Sequence, residues 1–146
     1  MGLFSKIFKS TTKTISETQS GPFTLVYSKG DKNLWSNDSS EVLKSVRGTT
    51  LEPNSEQLAF IENIDHEINQ LNDKITHSFI CEFKDADEVV NFSNWQERFK
   101  MVAVDVESIS QGQVYWTITF EDIAEPYAHF NLHIEGQKMN GFSIDK

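Results

Sequence analysis

Four histidines and a single cysteine carry the rarest chemistry in this chain, so their spacing is the first thing to weigh. Imidazole is both the commonest metal ligand and the usual acid–base group near neutral pH. His129 and His133 stand four apart in a stretch that alternates like a strand. Four residues of strand span about 13 Å, too far for one shared metal without a neighbouring strand's help. Glu135 and a cross-strand carboxylate are the groups that would have to complete such a site. His66-Glu67 starts like a zincin helix, but the second histidine would fall at position 70, where the chain has Gln70. His77 and Cys81, read as part of a strand, are again about 13 Å apart. A nucleophilic cysteine there would need its histidine from another segment.

The remaining chemistry is carboxylate and aromatic. Asp85, Asp87 and Glu88 form a compact acidic group without the glycine turn and terminal glutamate of a calcium loop. Phosphate-cradling glycine motifs and a nucleophile elbow are missing from the sequence. Trp35 and Trp95 fall in polar, turn-like surroundings (NLWSND and FSNWQER), where an exposed ring serves as an interface anchor. Trp116, inside an alternating run, belongs to the core.

Charge divides the chain unevenly. Residues 1–20 hold three lysines and one glutamate, +2; the other 126 hold ten basic and 21 acidic residues, −11, giving the net −9. An acidic body disfavours nucleic acid, whose binding depends on clustered Lys and Arg, and favours a basic protein partner. The basic opening is amphipathic. On a helical wheel Leu3, Phe4, Ile7, Phe8, Thr11 and Ile15 share one arc, with Lys6, Lys9 and Lys13 opposite. That pattern suits docking on the chain's own core, on a partner, or on a membrane surface through residues 2–15. Lys6 stands where a myristoylation signal wants Ser or Thr. With one cysteine, no secretory h-region and no apolar run of about 18 residues, the expected location is the cytoplasm, with a membrane-peripheral alternative.

These residues must be held by elements that the hydrophobic period reveals. Residues 11–21 read as linker, and 22–28 as a strand with Phe23, Leu25 and Tyr27 on one face. Asp38 with Glu41 resembles a capping box opening a short helix that Gly48 stops. Asn54 with Gln57 caps a long helix, about 54–75, along Leu58, Ile61, Ile64, Ile68, Leu71 and Ile75. Ser78 to Phe83 reads as a buried strand, and Asp85 with Glu88 opens another capped segment.

From Phe99 onward the period is two, giving a meander of about four strands. The expected fold is therefore α+β: an antiparallel sheet, this meander plus N-terminal strands, packed on one face by the long helix and smaller helices. Residues 1–20 form the basic segment and linker, and 21–146 a single domain. The function this points to is a small acidic interaction protein, without cofactor or metal. It would bind a basic protein partner as inhibitor, immunity-type factor or adaptor. A peripheral membrane protein is the alternative. A small enzyme using histidines and carboxylates of the sheet is the second.

Overall fold

Alternation is cleanest from Phe99 to Glu135, and there the computed structural model, which describes residues 13–84 and 92–145, has long extended strands. The elements run β1 (Ile15–Thr18), β2 (Gly21–Lys29), β3 (Lys32–Asn37), β4 (Leu43–Arg47), α1 (Ser55–Glu62), α2 (Ile64–Gln70) and α3 (Asn72–Phe83). A 3₁₀ turn (Phe92–Glu97) leads into β5 (Phe99–Ser110), β6 (Gln113–Asp122), β7 (His129–Glu135) and β8 (Lys138–Asp145). The fold is α+β, with one eight-stranded sheet whose strands lie side by side in chain order. Every neighbouring pair is antiparallel except β4 and β5, which run parallel with Leu43 opposite Ala103 and Ser45 opposite Asp105. Parallel neighbours need a crossover connection, and residues 48–98 supply it. Two antiparallel meanders of four strands are thus joined through a helical crossover.

The long helix expected over 54–75 is three shorter ones. Asn63 (φ −103°, ψ 18°) and Leu71 (φ −95°, ψ 2°) break it. At both points the backbone bond tightens to i−3, Asn63 N–H to Phe60 O and Leu71 N–H to Ile68 O. The cap forms as expected, Asn54 Oδ1 accepting the Gln57 N–H at 3.0 Å. The helical spacing simply continues, Ile75 to Phe79 to Phe83, so the strand expected at 78–83 is the end of α3. A six-residue run with five apolar or small members fits either period; here the stripe begun by Ile61 and Ile64 decides it.

Two other expectations change. Residues 43–47, read as a helix, form β4, because the residues before it are stapled into a loop. Asn37 Oδ1 accepts from Ser39 N–H at 2.8 Å, and Ser40 Oγ accepts from Val42 N–H at 3.3 Å. Such side-chain bonds to nearby backbone compete with helix. Ile15, placed on the amphipathic opening, instead lies in β1, so the tract read as linker contributes an edge strand paired to β2.

Buried residues of the helices and alternate residues of the strands form one core. Phe79 is its hub: fully buried, stacked on Phe99 at 4.1 Å between centroids and edge-on to Phe120 at 5.6 Å and Phe142 at 5.9 Å. Asp122, 1% exposed, accepts Arg98 at 2.9 Å, fixing the entry to β5 against the end of β6. Gly48 leaves β4 in contact with the segment before α1. A Cβ there would sit 2.3 Å from Glu52 O and 2.7 Å from Pro53 Cα.

Phe79→Ala should lower unfolding free energy by about 3–5 kcal/mol, the usual cost of emptying a buried aromatic site. Gly48→Ala should cost about 1–3 kcal/mol through overpacking against backbone. Urea denaturation followed by tryptophan fluorescence reads both.

Candidate functional site

Where α1 and α2 meet β4 and β5, the surface is recessed. One recess of ≈ 420 Å³ is lined by Val42, Lys44, Ile61, Glu62, Ile64 and Met101 among others. A second of ≈ 480 Å³ has Ile68, Trp95, Phe99, Phe120, Met101 and Ile123 in its wall. Asp65 and Met101 line both, so the two recesses adjoin and together are called the groove. Its positions follow from local structure. The break at Asn63 turns the chain so that Ile64 points inward while Asp65 stays exposed. Register places Met101 opposite Phe120, on the core side of β5. The second recess is mainly apolar; the first also has Gln19, Ser20 and Ser40 in its wall, and charged groups stand on the rim of both.

On that rim Glu62 and Asp65 are exposed acids. Lys44 and Lys100 are the basic members, and Lys100 pairs with Glu41 at 3.4 Å, an exposed contact of small energetic weight. The tract behind the rim is strongly one-signed. From Gly48 to Asp73 the sequence has no Lys or Arg, yet it carries Glu52, Glu56, Glu62, Asp65, Glu67 and Asp73. All but half-buried Glu67 are exposed. The rim itself is mixed in sign, and the acidic excess lies in the tract behind it, which would favour a side chain with an aliphatic stem and a cationic end.

The polar side of the sheet holds a different arrangement. Register lines up Ser36, Ser45, Asp105, Thr117 and His133 across five strands. His133 sits between hydroxyls, Nδ1 meeting Thr117 Oγ1 at 3.1 Å and Nε2 meeting Ser143 Oγ at 3.2 Å. Ser143 and His133 are at the separation of a nucleophile and its base. The orienting group behind the ring, however, is a hydroxyl rather than the carboxylate that would stabilise an imidazolium. His129 is two rows further out, beyond Asn131, opposite Glu121 and Asp145. Glu135 accepts the Tyr115 hydroxyl at 3.2 Å. Among the described residues, no three or more His, Cys, Asp or Glu side chains gather as a metal site.

The residues singled out from the sequence are distributed as follows. Trp35 and Trp95 are not exposed anchors: they are 0% and 5% exposed. Trp35 points inward from β3, its Nε1–H donating to Thr49 O at 2.8 Å, and Trp95 donates to Asn72 Oδ1 at 3.0 Å. Each indole N–H finds a partner, which lets the ring be buried despite its polar neighbours in sequence. Trp95 still forms part of the groove wall. Lys13 is exposed just ahead of β1. Leu3, Phe4, Lys6, Ile7, Phe8 and Lys9, and also Asp85, Asp87 and Glu88, lie outside the described residues. His77 and Cys81, separated in the strand reading, are brought together by α3: Cys81 Sγ is 3.4 Å from His77 Nε2. The groove residues Lys44, Asp65 and Met101 were not singled out beforehand. Of the three only Asp65 carries a sequence signal, its place in the long tract without Lys or Arg.

No helix of the described residues is long and apolar enough to cross a membrane. Comparison of the chain with protein-family models, curated proteins and solved structures finds no match.

Tyr115 provides a direct check on the polar face. Its pKa is raised above the usual 10.0, first by the charge of Glu135 and then by partial burial and the hydrogen bond to that carboxylate. The neutral phenol is the favoured form, so its stabilising contribution is full below the unfolded value and fades as pH rises through the raised one. Tyrosinate absorbance, taken as the difference between wild type and Tyr115→Phe, should titrate above 10.0. Glu135→Gln should bring that titration down.

Proposed function

We propose that this is a small acidic interaction protein that binds a basic protein partner, acting as an inhibitor, immunity-type factor or adaptor. The observation that carries this reading is the groove beside α1 and α2, with Ile64, Ile68 and Met101 in its lining, Glu62 and Asp65 facing Lys44 and Lys100 on its rim, and a tract without Lys or Arg behind it. The helices cover one side of the sheet in this reading, and their outward surface is the acidic tract between Gly48 and Asp73. Desolvated anchors supply most of the affinity at an interface, while charge steers encounter and selects the partner. The groove offers a place for both: Lys or Arg stems against Ile64, Ile68 and Met101, with their charged ends at the carboxylates.

The partner expected is a protein or segment with clustered Lys and Arg. Full-length chain should be immobilised and exposed to extract of its own cell at about 50 mM and about 500 mM salt, where surface electrostatics differ several-fold in range. A basic protein should be retained at low salt and lost at high salt. Its binding by the purified pair should fall at least tenfold (about 1.4 kcal/mol) in the double variant Glu62→Lys, Asp65→Lys. Unchanged affinity in that variant would sink the groove as the contact. Retention only of anionic vesicles, lost when residues 1–12 are removed, would transfer the function to the membrane surface.

A further inference from the structure

His77 and Cys81 are both exposed and stand one helical turn apart on α3, with Cys81 Sγ 3.4 Å from His77 Nε2. That separation has a meaning beyond a weak hydrogen bond. Sulfur at about 2.3 Å and nitrogen at about 2.0–2.1 Å from one tetrahedral zinc ion stand about 3.5 Å from each other. The helix therefore presents a thiol and an imidazole already at chelating distance. Its own anchorage is firm, because Ile75 and Phe79, interleaved with the two donors, are completely buried. We propose that His77 and Cys81 form a bidentate surface site for a thiophilic divalent cation of the zinc class.

Donor chemistry selects the ion. Thiolate with imidazole suits zinc and its soft neighbours, whereas magnesium and calcium want oxygen. Binding converts the Cys81 S–H bond to a sulfur–metal bond and releases the proton to solvent. No further His, Cys, Asp or Glu among the described residues completes a larger cluster, so two coordination positions stay open to water. There is room for them: beside His77 lies a recess of ≈ 400 Å³ whose lining includes Asp73 and Met139. Two lysines share that recess: Lys74, whose ammonium donates to the Gln137 carbonyl, and Lys138, which is exposed and free to turn its charge to solvent. The site is independent of the groove beside α1 and α2, and neither reading needs the other.

Cobalt(II) serves as the spectroscopic probe. Added to reduced full-length protein, it should produce a sulfur-to-metal charge-transfer band in the near ultraviolet that Zn2+ displaces. Saturating Zn2+ should also slow the reaction of Cys81 with an aromatic disulfide reagent at least tenfold. Cys81→Ser should abolish the band. His77→Gln should weaken cobalt binding by about tenfold or more, the scale reached even by loss of an outer-sphere partner, and His66→Gln should change nothing. Unprotected thiol reactivity in saturating Zn2+ would overturn the site, and that readout needs no variant. Cobalt affinity unchanged in His77→Gln, with the fold intact by circular dichroism, would reduce it to a lone thiolate and equally reject the chelate.

Discussion

Arg47 holds the one parallel joint in the sheet, and the rest of the architecture depends on that joint. Its guanidinium takes Asp105 on β5 with two nitrogens, at 2.6 and 3.2 Å, and adds the Val106 carbonyl at 3.3 Å. Its backbone works on the other side. The N–H donates to Gln57 Oε1 at 2.7 Å, and the carbonyl accepts Asn54 N–H at 2.8 Å. One residue thus ties the first meander to the second and both to the start of α1. The planar fork of arginine suits this role because it fixes orientation as well as distance. Gln57 is buried at a position that in a capping box would reach back to the cap residue. It serves the strand instead, and the Asn54 side chain is left to cap the helix alone.

Once β4 and β5 are parallel, the chain must travel back along the sheet, and the crossover becomes the only source of helical cover between the meanders among the described residues. Its length is used in three pieces. The breaks at Asn63 and Leu71 let each short helix keep its apolar residues on the core while the path bends. Phe79 then docks the last helix among the phenylalanines of β5, β6, β7 and β8. The groove is a by-product of the same geometry. It lies beside the break at Asn63, where α1 packs on β4 and β5, and Met101 lines both of its recesses.

Residues 99–145 were legible because β6 and β7 repeat their inward side chain every second residue, while the bulges in β5 and between β7 and β8 shift that period only locally. The Asn54 cap was legible for a similar reason, being a local bond with a local signature. Residues 43–47 and 78–83 were not, since a few apolar positions satisfy both periods and the decision rests on the loop before one and the stripe before the other. The parallel pairing leaves no local trace at all: nothing in Leu43 to Arg47 names Ala103 to Asp105 as its neighbour. Trp35 and Trp95 misled because polar flanks describe the backbone's surroundings, while the ring's place was set by Thr49 O and Asn72 Oδ1. The groove was hidden for the same cause as the pairing, with Lys44, Asp65 and Met101 converging from three separate stretches. His77 and Cys81 show how much a change of element matters, since four residues are a distant pair on a strand and a contact on a helix.

Acidic side chains on the crossover do not all carry the same weight. Glu56, Asp65, Glu67 and Asp73 lie in the first turns of their helices. There a negative charge is favoured by the unpaired N–H groups and the helix dipole, typically by about 0.3–1 kcal/mol. Breaking one helix into three multiplies such positions, so much of the acidity is compatible with fold stability and needs no partner to explain it. Glu52 lies in the loop before α1, and Glu62 is the one acid at a helix C-terminal end among these six. It ends α1, where the dipole opposes it, and among the described residues it has no cation partner in an ion pair. It also lines the groove, next to the bend that turns Asp65 toward the same space. Glu62 is thus held between the opposed end of α1 and the favourable start of α2, with Lys44 in the same recess, and its charge is the one on this surface that the helix ends account for least.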